Sequence, residues 1–135
     1  MRARNSFDYA VIRLVPRVER GECVNVGVIL LCRQRGYLGM RIARDSRRWR
    51  CLWPHLDVGS VERQLEGQRR ICDGEPDGGP IAHLSQAERF HWLVSPGSTI
   101  IQPSAVHSGL CEDPEDALEA LFEEMVLVPQ SQSSM

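Results

Sequence analysis

Three runs near the N-terminus alternate with a period of two: "YAVIRLV" (residues 9–15), "CVNVGVILLC" (23–32) and "YLGMRIA" (37–43). Successive side chains on a strand point to opposite faces, so such runs divide their residues between two surfaces. One surface collects Ile12 and Leu14, then Val24, Val26, Val28 and Leu30, then Leu38, Met40 and Ile42. It is wholly apolar and has to be buried. The other holds Val11, Arg13, Val15, Asn25, Gly27, Ile29, Gly39, Arg41 and Ala43. Keeping the apolar set in line allows Leu14 opposite Val24 and Leu30 opposite Leu38, because a one-residue slip would bring polar groups inside. Arg13 then faces Asn25, and Gly27 faces Arg41. A shift of two residues would keep the faces and change the partners.

Helical signals follow. Asp45 can cap a short helix burying Trp49, Leu52 and Trp53 before Pro54. Asp57 can cap a second, with Val58, Val61 and Leu65 at helical spacing and a Glu66–Arg70 pair. Residues 73–80, "DGEPDGGP", read as a loop. Ser85 and Glu88 form a capping box, and residues 98–102 supply a fourth extended piece. Asp113, Pro114, Glu115 and Asp116 open a last helix whose Leu118, Leu121, Phe122 and Met125 share a face. The order implies an α+β fold: an antiparallel sheet of about four strands with helices packed on one face. Residues 1–6 read as a flexible N-terminus, 7–128 as a single domain and 129–135 as a disordered tail.

The 135 residues contain no apolar run long enough to cross a bilayer, and no h-region follows the basic start. Five cysteines without a CxxC spacing point to reduced thiols in a cytoplasm. His107 and Cys111 alone do not make a metal site. No phosphate-binding loop, dinucleotide fingerprint or nucleophile elbow occurs, so no cofactor is expected and the chain leans away from catalysis. All 16 basic residues are arginine, and they are unevenly spread. Residues 1–50 carry 12 arginines and 4 acids, whereas 51–135 carry 4 arginines and 14 acids.

Arginine forks onto carboxylate and phosphate, so the mixed face is the candidate site. It brings together Arg13, Asn25 and Arg41 over glycine, with Arg17, Glu19 and Glu22 from the connecting loop. The plainer alternative is that these arginines lie across a half-exposed surface or pair with Glu19 and Glu22. Ser98, Thr99, Gln102, His107 and Ser108 can build a polar rim in loops near the last helix. Three functional readings follow. The first is an accessory domain that binds a protein partner through the arginine-bearing face. The second is an enzyme or binder for a phosphate-bearing ligand, with Arg13 and Arg41 as clamps and His107 as acid or base. The third is nucleic-acid binding through Arg33, Arg35, Arg41, Arg44, Arg47, Arg48 and Arg50 beside Trp49 and Trp53, although both tryptophans fall on the apolar side of their helix.

"YAVIRLVPRVERGECVNVGVILLCR" together with "GPIAHLSQAERFHWLVSPGSTIIQPSAVHSGLCEDP" resembles the bacterial family catalogued as domain of unknown function 3037. The resemblance covers residues 7 to 127. It implies no particular activity or cofactor. It does imply a small bacterial protein whose gene can neighbour a HipA-like protein kinase, and hence a partner or regulator role. The family's recurring polar positions fall here on Arg13, Arg17, Glu19, Glu22, Asn25, Gly27, Arg41, Glu88, Arg89, Ser98, Gln102, His107 and Asp113.

Overall fold

The three alternating runs pair as neighbours in the computed structural model, which describes residues 4–97 and 99–127. They form β1 (Asn5–Leu14), β2 (Val24–Cys32) and β3 (Tyr37–Ile42). Two short strands, β4 (Ile101–Pro103) and β5 (His107–Cys111), share the outer edge of β1. β4 lies opposite residues 12–14 and β5 opposite residues 5–9, so β1 is flanked along its length. The sheet is antiparallel throughout and the class is α+β, with five strands. Asn5 and Ser6, assigned above to a flexible N-terminus, begin β1 and pair with Cys111 and Leu110.

Arg13 faces Asn25 and Leu14 faces Val24, as the apolar alignment requires. The register then slips: Ile12 pairs with Gly27, leaving Val26 as one extra residue on β2. Such a β-bulge reverses the alternation beyond it. Val24, Val26, Ile29 and Leu31 consequently enter one core, while Val28, Leu30 and Cys32 enter another. The expected partners on β3 are therefore wrong by one residue: Leu30 faces Gly39, Val28 faces Arg41 and Gly27 faces Ile42. Gly27 is held to glycine by close approach, since a Cβ there would sit 2.7 Å from the Arg41 carbonyl oxygen.

This division explains the largest departure from expectation. Helices α1 (Ser46–Leu52), α2 (Val58–Asp73) and α3 (Gln86–Leu93) border the core built on Ala10, Ile12, Leu14 and Ile29, contributing Trp49, Val61, Leu65 and Phe90. Helix α4 (Pro114–Met125) lies on the opposite face, with Leu118 and Phe122 against Phe7, Val28 and Leu30. The helices are thus not confined to one face. Because the bulge sends Val28 and Leu30 to the second face, that face also needs a cover. Leu52, expected inside, is 52% exposed.

The helix ends follow the sequence closely. The side chains of Asp45, Asp57 and Asp113 accept from backbone N–H groups of Arg48, Ser60 and Glu115. Ser85 and Glu88 form the complete capping box. Helix α2 ends on Gly74 in the left-handed region, where Arg89 of α3 donates to the carbonyls of Leu84 and Cys72. The expected Ser/Gly loop around His107 is instead β5, and the Phe7 ring covers Gly109. No helix among the described residues is long and apolar enough to cross a membrane.

Candidate functional site

Asn25 and Arg41 do share a face with Arg13, and that face is the one α4 covers. Asn25 Nδ2 donates to the Met125 carbonyl at 2.9 Å, satisfying an acceptor in the last turn of α4. The Arg41 guanidinium pairs with Glu119 of α4 and lies 4.7 Å from the Phe122 ring centroid. Both residues therefore fasten α4 to the sheet. Arg13 is different: it is exposed and has neither ion pair nor hydrogen-bonded side chain among the described residues. Its Cα lies two strands over and two residues along from that of Arg41, about 12 Å by ordinary strand spacing. The two guanidinium groups are not arranged as one clamp.

A cavity forms at the end of the sheet beyond Arg13. Pro16 ends β1 and turns the chain into a single 3₁₀ turn, Val18–Arg20, closed by Gly21 at a φ of 70°. Across from it, the α1–α2 connection "WPHL" (53–56) runs to the Asp57 cap. Between these segments lies a groove of about 610 Å³. Its walls are Pro16, Leu52, Trp53, Pro54, Leu56 and Ile100, and Arg17, Arg20, Glu22, His55, Asp57 and Ser60 supply its polar rim. Arg20 pairs with Glu22 at 2.5 Å, whereas Arg17 has no side-chain partner among the described residues. Val18 beside it is 54% exposed.

The other predicted positions are scattered around this groove or far from it. Glu19 is exposed in the 3₁₀ turn. Gln102, opposite Arg13, donates to the Thr99 carbonyl at 3.0 Å and so holds its own turn. Ser98 lies outside the described residues. His107 is paired with Tyr9, its ring centroid 5.4 Å from the Tyr9 ring. Tyr9 and Arg13 are four positions apart on β1, about 13 Å along the strand. The imagined grouping of Arg13, Arg41 and His107 around one ligand is not assembled. The apolar half of the groove was missed in the sequence, where Leu52 and Trp53 read as core. The "WPHL" stretch held the available signal, since two apolar residues around a proline sit between adjoining helices.

Of the seven arginines of residues 33–50 four are engaged, Arg41 with Glu119 as above, while Arg47, Arg48 and Arg50 have no side-chain partner among the described residues. Arg33 donates to Asp8 at 2.8 Å, Arg35 to the Glu112 carbonyl at 2.8 Å and Arg44 to Glu66 at 2.8 Å. Trp49 is 1% exposed, so it offers no stacking surface. Glu66 also accepts from Arg69, and the two guanidinium groups hold its carboxyl down at about 2. Asp8 is lowered in the same sense by Arg33, with Ser108 adding a hydrogen bond at 2.8 Å. Burial pushes the Cys72 thiol up to about 12. Among the described residues, no group of three His, Cys, Asp or Glu side chains is placed to hold a metal ion.

The groove therefore offers apolar contact and the Arg17 guanidinium, and among the described residues no nucleophile on its walls is hydrogen-bonded to a base. The model of the family described as "Protein of unknown function (DUF3037)" matches residues 9–126. No curated protein and no solved structure matches the chain.

Proposed function

The chain belongs to the DUF3037 family, and from that premise we propose that it is a non-enzymatic accessory domain that binds a protein partner in the Arg17 groove. One observation carries this reading: Leu52, 52% exposed, lines the groove with Trp53 and Leu56 beside Arg17, whose guanidinium has no side-chain partner among the described residues. Surfaces of this kind favour an apolar anchor with a carboxylate beside it. The sheet face named from sequence is covered by α4, so docking moves to the end of the sheet, where Arg17 and Glu22 remain accessible. A HipA-like kinase is the partner we put first, on the strength of the family resemblance, in a bacterial cytoplasm suited to five free thiols.

The test is co-expression with a HipA-like kinase from the same genome, followed by gel filtration. The pair should elute as one complex, and Arg17→Glu or Leu52→Asp should separate it while leaving the melting temperature within a few degrees. Independent elution of the two wild-type proteins would reject the reading. A phosphate-bearing ligand is the second candidate, again centred on Arg17. Isothermal titration with inorganic phosphate and simple phosphomonoesters would show it as heat lost in Arg17→Ala.

A further inference from the structure

We propose that β5 is a self-association edge, through which two copies of the chain join their sheets around a twofold axis at Ser108. β5 pairs with β1 along one edge, and among the described residues no strand lies along the other. An open edge presents unpaired backbone N–H and C=O groups, and natural proteins usually guard it with charge or proline. β4 carries Pro103 and the β3 edge carries Arg41. Residues 105–111, "AVHSGLC", contain neither a charged side chain nor a proline. The same segment holds two of the exposed large apolar residues, Val106 at 45% and Leu110 at 64%.

These residues are symmetric about Ser108. Antiparallel pairing of two copies centred there sets Val106 opposite Leu110 of the second copy, twice, with the two Ser108 side chains between them. The other face sets His107 opposite Gly109, so no like charges meet. The contact is isologous and closes as a dimer, because each open β5 edge is consumed by its counterpart. The partner that fits this edge is thus a second copy of the same strand. This surface is separate from the Arg17 groove, so each can fail without the other.

Sedimentation velocity across micromolar to millimolar concentration tests the proposal. The wild type should move from monomer to dimer, and Leu110→Lys should stay monomeric throughout with an unchanged circular dichroism spectrum. Leu52→Lys, in the groove, should dimerise like the wild type. Ser108→Cys should form a covalent dimer under copper phenanthroline well beyond the wild-type level, which also fixes the register if Leu110→Lys folds poorly. A wild type that remains monomeric, a Leu110→Lys dimer, or no added cross-link at position 108 would overturn it. A monomer that accepts a strand only from another protein would overturn it too.

Discussion

Arg13, Asn25 and Arg41 share one face of the sheet, yet the structure gives them unequal duties. Arg13→Ala removes an exposed side chain that has no partner among the described residues, and should change stability by no more than about 0.5 kcal/mol in urea melts. Asn25→Ala leaves the Met125 carbonyl without its amide donor and should cost about 1 kcal/mol. Arg41→Ala gives up a half-exposed ion pair and a ring contact, again about 1 kcal/mol, and a double-mutant cycle with Glu119→Ala should show the coupling. The sequence placed these three on one face, and the grouping survives the one-residue change of register on β3 because the bulge at Val26 offsets it. It did not show what α4 does with them, since a polar residue facing solvent and one facing a helix end look alike in a pattern. Thiol reactivity divides at the same scale. Cys23 and Cys51 are exposed and should react quickly with Ellman's reagent. Cys72, buried and raised to about 12, should react only on unfolding.

Among the elements, the helix ends were the most legible, because a cap needs only local residues. Asp45, Asp57, Ser85 with Glu88, and Asp113 all act as their spacing implies. Tertiary charge clusters were less so. Glu66 on α2 is shared by Arg44 from the loop after β3 and by Arg69 one turn on, with Arg70 at 3.6 Å. Of these contacts, the sequence suggested Glu66–Arg70 alone. A carboxyl lowered from 4.5 to about 2 stabilises the fold at pH values above 4.5, and the contribution disappears as the pH falls towards 2. Wild type and Glu66→Gln should therefore differ in urea midpoint at neutral pH and converge near pH 2. Gly74 ends the same helix at a φ of 66°, with Arg89 Nη1 3.2 Å from the place of a Cβ. Gly74→Ala should cost about 1–2 kcal/mol, visible as a lowered thermal midpoint.

For the whole molecule, the decisive feature is that the sheet separates two cores, with β1 tied to residues about 100 positions away through β5. Ending the chain after Glu112 would uncover Phe7, Val28 and Leu30, all under 8% exposed, and should yield an aggregating product without a cooperative melt. Periodicity located the apolar residues but could not tell one buried face from two. Residues 28–32 are apolar on both faces and have no phase to betray a change of partner, and the bulge lies just before them. The bulge also gives the chain an unequal tolerance of length. β2 holds one residue in reserve: losing Val26 restores regular alternation and keeps Arg13 on Asn25 and Ile12 on Gly27. The cost is the packing of one buried valine, about 1.5–3 kcal/mol. β1 has no such slack. Deleting Val11 would turn one end of the strand over, exchanging residues between the cores. Genes for relatives should accordingly show codon losses in the second strand and none in the first, and a ΔVal26 protein should melt cooperatively where ΔVal11 does not.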